Sequence, residues 1–387
     1  MLPVIDCDVH HTWKSEDEVI AYLPARWREF NAGQVGILHY AGTRLLNGGG
    51  FLAYPNNGGG LRRPDFMPAD GTKAGSDYPM MKTQLLDALN VQRAVLSFDI
   101  GLQTGLHNPW LALDVVRAVN DWNVERWLSI PDDRIRSAVL VPTHVPEEGA
   151  KEIRRLAKNA KICEALLVTS ALGKPFGDPV YEPIHRAAAE CGLPIAIHLG
   201  GEHVGDLGHV SAGGVPGTRI EEEFTNHEPA QRHLVSFITN GVFERHPELK
   251  VIMVEFSVAW LPALIRRLDT NAHLMRQESP WVKRAPSEYV HSNIRISTQP
   301  LETLTSKQFR ALLEVYPFLE DVLLFATDYP HFDADDPFYI TKRLPKEWMP
   351  KLLYKNSCDA YGWDENELLE NASLEQAVGS FRQQPAG

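Results

Sequence analysis

Eight short runs rich in β-branched and apolar residues recur along the chain, and from residue 93 onward longer amphipathic stretches separate them. The runs are residues 2–7, 93–98, 135–141, 165–169, 194–198, 251–255, 294–298 and 322–327. Helical periodicity covers 110–128, 147–159, 181–191, 229–243, 261–277 and 306–316. A short apolar run followed by an amphipathic stretch is the pattern of a βα unit, and its repetition sets strands in parallel with helices outside them. Eight strands with intervening helices fit a closed (β/α)8 TIM barrel of the α/β class better than an open sheet. A chain of 387 residues is long enough for one such barrel or for two ordinary domains. The unbroken alternation favours a single barrel domain spanning 1–387.

One segment breaks the rhythm. Residues 14–80 form a long insertion between the first strand and the helix that leads into the second, where a βα connection normally takes roughly 2–6 residues. It holds the loop signals Asn47-Gly48-Gly49-Gly50 and Asn56-Asn57-Gly58-Gly59-Gly60, together with Trp27, Tyr40, Phe51, Tyr54 and Phe66. The aromatic content predicts a lid or pocket wall, against the alternative of a decorated surface loop. The polar tail, 364–387, is expected to be a peripheral helix followed by a disordered end.

Composition narrows the classes of partner. The formal net charge of −12 opposes non-specific attraction to nucleic acid or to acidic membrane surfaces. No stretch reaches the roughly 20 consecutive apolar residues that a membrane-spanning helix requires, and the N-terminus lacks the basic and apolar segments of a signal peptide. A cytoplasmic protein with a small-molecule substrate, assembled as a homo-oligomer, a dimer, is the expectation. Cys7, Cys163, Cys191 and Cys358 are scattered without close pairs, which argues against a disulfide framework and against a thiolate zinc site. Any metal must therefore be held by nitrogen and oxygen.

A parallel barrel carries its active site at the C-terminal ends of its strands, so the polar residues that close the apolar runs matter most. The first run ends Ile5-Asp6-Cys7-Asp8-Val9-His10, the fifth ends at His198, the sixth at Glu255, and the eighth at Thr327-Asp328. Asp8 and His10 are two apart and share one side of a strand. His11 then faces away. A barrel brings all strand ends around one mouth, where Asp8, His10, His198 and Asp328 can share a cation. Imidazoles and carboxylates with a position left for water suit catalytic zinc first, and manganese or iron as well. Taken singly, an Asp-x-His pair is equally a surface pair or a cap, and a histidine after a strand is equally a hydrogen-bonded packing residue. Glu255 reads as a further ligand, a general base, or an ion-pair partner of Arg62 or Arg63. Glu221-Glu222-Glu223 with His227, and His203 after Gly200-Gly201-Glu202, can be read as a second metal position or as a solvated helix start and a flexible loop that also carries His209. One ion is favoured over two.

At these residues the chain resembles the amidohydrolase-related family that includes α-amino-β-carboxymuconate-ε-semialdehyde decarboxylase and the γ-resorcylate decarboxylases. The shared points extend from Ile5-Asp6-Cys7-Asp8-Val9-His10 through Pro194-Ile195-Ala196-Ile197-His198 and the stretch Gly241-Val242-Phe243-Glu244-Arg245-His246-Pro247-Glu248-Leu249-Lys250-Val251. They continue in Glu255 with Trp260 and Pro262, and end in Thr327-Asp328-Tyr329-Pro330-His331. The resemblance implies that Asp8, His10, His198 and Asp328 are ligands, and that His331 is a proton donor or substrate contact. It also sets Arg267 where the decarboxylases bind a substrate carboxylate. Two departures stand out. Asp8-Val9-His10 replaces a His-x-His pair, and Glu255 stands where the decarboxylases have histidine.

The favoured expectation is a metal-dependent hydrolase acting on an ester, lactone, amide or thioester of a small to medium organic acid. Asp328 would be the proton acceptor from the metal-activated water, with Glu255 or His331 assisting. Non-oxidative decarboxylation of an aromatic or muconate-like acid is the alternative, followed by a non-haem iron oxygenase on the same fold and by a metal-binding module without catalysis.

Overall fold

The computed structural model describes residues 2–33, 63–98, 108–168, 172–199, 221, 224–225, 227–302, 304–331, 333–335 and 337–372. Eight strands form one sheet in the order β1 to β8, and each neighbouring pair is parallel. They are β1 Val4–His11, β2 Val91–Phe98, β3 Ile135–Leu140, β4 Ile162–Leu167, β5 Ile195–His198, β6 Val251–Val254, β7 Ile294–Ser297 and β8 Leu323–Leu324. Strands covered on both faces read as continuous apolar runs, as in Ile195-Ala196-Ile197 and Val251-Ile252-Met253-Val254, which are buried throughout.

Helices Pro109–Arg126, Pro146–Leu156, Glu182–Cys191, Glu228–Thr239, Trp260–Met275 and Ser306–Leu312 follow β2 to β7 in turn. The first four carry proline in their opening turn, where no amide is needed and φ is already helical. Asn108 caps Pro109–Arg126 by accepting from the amides of Trp110 and Leu111 at 3.0 and 3.2 Å. The helix expected over 229–243 stops at Thr239, because Asn240-Gly241 interrupts it before the short turn Val242–Arg245. Apolar spacing alone runs straight through that break. Strand β1 reaches His11 rather than ending at Cys7, because its polar residues are buried inside the protein and not turned to solvent.

Closure of the barrel is backbone work along the edge from β8 to β1. The amide of Cys7 donates to the Phe325 carbonyl at 3.0 Å, that of Asp328 to the Asp8 carbonyl at 3.1 Å, and that of His10 to the Tyr329 carbonyl at 2.7 Å.

The described parts of the 14–80 insertion pack onto the rim at this edge and onto the first long helix. Thr12 donates its amide to the Gly75 carbonyl at 3.1 Å, and the Phe66 ring meets Tyr329 edge-on at 4.8 Å. The Trp27 indole donates to Asp114 at 2.6 Å, and Arg26 pairs with the same carboxylate. Residues 34–62, with the glycine runs and Tyr40, Phe51 and Tyr54, lie outside the described residues. Residues 365–372 are helical, and 373–387 lie outside the described residues. No described helix is long and apolar enough to cross a membrane.

Gly75 anchors the rim to the site: it has φ +81°, and a Cβ there would sit 2.7 Å from the His10 carbonyl. Gly71 has φ +77° with open space around it. Gly71→Ala should therefore cost only the left-handed backbone strain, about 1 kcal/mol, whereas Gly75→Ala adds overpacking of about 1–3 kcal/mol. Urea midpoints of the two variants check this. Equal shifts would mean that the Gly75 contact is not tight.

Candidate metal centre

Side chains from four strand ends converge at the C-terminal mouth. Asp8 and His10 come from β1, His198 ends β5, Glu255 follows β6, and Asp328 lies beyond β8 with His331 one turn later. The first five are buried, and His331 is partly exposed. Glu255 and Asp328 have φ of +65° and +58°. Left-handed backbone at a residue with a bulky side chain costs roughly 1–2 kcal/mol and persists only where surrounding contacts hold it. The Glu255 amide donates to the Ser297 hydroxyl at 3.1 Å, and the Asp328 amide is held by the Asp8 carbonyl.

His10 Nε2 lies 3.0 Å from Asp328 Oδ1, 3.6 Å from Asp8 Oδ1 and 3.7 Å from Glu255 Oε1. His198 Nε2 lies 3.4 Å from Asp8 Oδ2, and its Nδ1 lies 3.6 Å from Glu255 Oε2. His331 stacks on His10 with ring centres 4.2 Å apart, and its Nδ1 is 2.8 Å from Asp328 Oδ2. Two overlapping sets of ligand-type groups result among the described residues. One is Asp8, His10, His198 and Glu255; the other is His10, Glu255, Asp328 and His331; in each, the ligand-type atoms lie within 4.8 Å of one another. Glu255 is thus central to both, and Asp328 joins through the second.

The free atoms fit a cation. Asp8 Oδ1 and Oδ2, His10 Nε2, His198 Nε2 and Asp328 Oδ1 are buried and make no hydrogen bond. Each such buried polar atom costs about 1–3 kcal/mol unless something satisfies it. Both histidines are also oriented for the task. The Nδ1–H of His10 donates to the Phe98 carbonyl at 3.2 Å and that of His198 to the Leu199 carbonyl at 2.6 Å, which leaves each Nε2 lone pair facing the mouth.

Without an ion these groups balance charge with protons. Burial opposes ionisation of Asp8, but His10 and His198 outweigh it and hold the carboxyl below its ordinary range. Burial likewise disfavours a charged His198, yet Glu255 and Asp8 raise it to about 9. His10 stands well above its ordinary value against burial, through Asp8, Asp328 and Glu255. Glu255 is lowered against burial by His198 and His10. Asp328 moves the other way, well above the carboxyl range, because burial and the Glu255 charge both disfavour its ionised form.

Other residues singled out by sequence fall elsewhere. His11 turns away, with Nδ1 2.7 Å from the Ser97 carbonyl and Nε2 2.9 Å from Asn123 Oδ1. Arg63 pairs with Asp65, and Arg62, His203 and His209 lie outside the described residues, as do Glu222 and Glu223. Glu221, Arg266 and Arg267 are exposed, and His227 belongs to neither ligand set.

Sequence reasoning passed over Asp6, Ser297, Thr327 and Glu164. Asp6 is buried, and burial pushes its carboxyl up to about 7 against the donors of Thr327 and Asp8. Burial pushes Glu164 up to about 8, and the Tyr361 hydroxyl donates to it at 2.9 Å. A charged residue inside an apolar run was the available signal for both.

Known proteins share this architecture. The chain is 23% identical over 271 residues to a γ-resorcylate decarboxylase from Rhodococcus jostii, covering 66% of this chain and 78% of that one. An amidohydrolase from Mycobacterium avium subsp. paratuberculosis superposes with a TM-score of 0.67 at 20% identity, over 93% of this chain and 99% of that one. A dihydroxybenzoic acid decarboxylase from Polaromonas sp. JS666, solved with manganese and the inhibitor 2-nitroresorcinol, superposes with a TM-score of 0.63 at 16% identity, over 95% and 99%. The family model described as amidohydrolase matches residues 5–363, nearly the whole chain, and the protein is therefore an enzyme of the amidohydrolase family.

Proposed function

We propose that the protein is a divalent-metal-dependent carboxy-lyase that releases carbon dioxide, without an oxidant, from an aromatic carboxylic acid. The observation that carries this reading is the Asp328–His331 pair at the mouth, a buried carboxyl 2.8 Å from the Nδ1 of a partly exposed histidine that can relay a proton to it. The names of the relatives support it, and it displaces hydrolysis as the first reading. Asp8, His10 and His198 would hold the ion, with Glu255 and the Oδ1 of Asp328, which makes no hydrogen bond, facing it. A bound ion would anchor an acidic substrate through its oxygens and offset their charge. Asp328 then stands as the acid: as the bond to the carboxylate breaks and carbon dioxide leaves, the electron pair stays on the ring carbon and takes the Asp328 proton. His331 returns a proton to Asp328 from solvent.

A single ion is the consistent number. The two ligand sets share His10, and His10 has only Nε2 to offer because Nδ1 is bonded to Phe98. Manganese suits a set rich in carboxylate oxygen better than zinc does, and manganese sits in the Polaromonas structure. Hydrolysis remains the second reading on one observation. Glu255 is an ionised carboxylate within the set, placed as a general base for a water.

Protein stripped of metal and reloaded with manganese should release carbon dioxide from hydroxylated benzoic acids, and Asp328→Asn should cut kcat by about 10²-fold or more when assayed at saturating manganese. Cleavage of esters or lactones with no carbon dioxide from any aromatic acid would reverse the two readings. Glu255→Gln should weaken manganese binding if Glu255 is a ligand; full metal retention with lost ester or lactone cleavage would instead make it a hydrolytic base. Manganese affinity should climb with pH, because the ion must displace the proton that His198 holds up to about 9 in the metal-free protein. The expected rise is about tenfold per pH unit per proton displaced across pH 6 to 9, and isothermal titration over that range measures it. A flat profile would mean that the histidines are not ligands.

A further inference from the structure

The edge that closes the barrel is held by a side chain as well as by backbone. The β7–β8 ladder covers only the register pairs Ile296 with Leu323 and Ser297 with Leu324. On the other side, the pairing of β1 with β2 slips between Asp6 and Val9. Backbone amides near both breaks turn to one carboxyl group. Asp6 Oδ1 accepts from the Thr327 amide at 3.0 Å and from the Asp8 amide at 3.3 Å, and its Oδ2 accepts from the Thr327 hydroxyl at 2.6 Å. The Thr327 hydroxyl oxygen accepts in turn from the Tyr329 amide at 3.1 Å. The amides on both sides of Asp328 are thereby fixed, and so is the amide of Asp8.

We propose that Asp6 is a positioning residue for the cation site: by gripping the Asp8 amide and Thr327 together, it sets the spacing of the Asp8 and Asp328 carboxylates and so the affinity and geometry of the bound ion. The inference rests on reading those two carboxylates as facing the ion. Asp6 itself is buried, so its contribution passes through the backbone it holds. Three donors converge on it, which calls for a group that only accepts. An asparagine of the same size would aim an amide N–H2 at a hydroxyl that now donates. Asp328 makes the spacing matter, since its left-handed backbone has no slack to recover a displaced carboxylate.

The test is a manganese titration of full-length protein after metal removal, followed by electron paramagnetic resonance, which reports free ion and the symmetry of bound ion. Asp6→Asn and Thr327→Val should bind manganese about 10–100-fold more weakly than wild type, with an altered bound-ion spectrum, as expected when partners behind a ligand are removed. Thr327→Ser keeps the hydroxyl and should restore wild-type affinity. Wild-type affinity and spectrum in both Asp6→Asn and Thr327→Val, with only the melting temperature lowered, would overturn the proposal and leave Asp6 as a seam residue. Wild-type protein that binds no manganese would overturn the ligand reading, and this inference with it. Should Asp6→Asn fail to fold, the Thr327 pair decides alone.

Discussion

Three carboxylates, Asp8, Glu255 and Asp328, are crowded at a barrel mouth from which most water is excluded. Two unit charges about 4 Å apart in surroundings of effective dielectric ~20 interact by about 4 kcal/mol, so three like charges cannot stand there uncompensated. The rest of the centre answers that constraint. His10 and His198 take up positive charge against their burial, Asp328 keeps a proton, and the Nε2 atoms are aimed inward by carbonyls behind them. On the proposed reading a divalent ion would take the place of those protons with a denser charge, so the groups that titrate together are also the candidate ligands.

Backbone strain is the structural counterpart of that crowding. A regular strand alternates its side chains, and continuing β6 or β8 regularly would not bring Glu255 and Asp328 to their present positions. Both residues instead take left-handed backbone, one held by Ser297 and the other by the Asp8 carbonyl. Strain at two acidic residues that meet at one mouth, far apart in sequence, points to the mouth as the place the fold serves.

Much of this was legible in the chain. The eight apolar runs each correspond to a strand, because strands buried on both faces must be apolar nearly throughout. Asp8, His10, His198, Glu255 and Asp328 stood out as polar endings to such runs. Less legible was anything that depends on angle or on partners distant in sequence. The β1 extension to His11 was hidden because inward-facing polar residues look like a loop, and the strand expected over 322–327 proved to have only two ladder residues. The hydrogen bonds of Asp6 to Thr327 join residues 321 apart in sequence, so no local pattern announces them. Glu255 was read as an addition to a four-residue set; geometry makes it common to both ligand sets, since the turn at its own backbone decides its reach.

The short β8 has a consequence for how the barrel breathes. Parting β1 from β8 breaks a few backbone bonds and the Asp6 grip, while the ladders from β1 through β7 stay whole. Opening at that seam would cost few hydrogen bonds, so the amides of Cys7, His10 and Asp328 are expected to exchange with solvent ahead of those in β3 to β5. The candidate ligands Asp8, His10 and Asp328 lie on the two lips of that seam. A metal held as proposed would act as a clasp: by tying the two lips together it would suppress the opening of the cylinder at that seam.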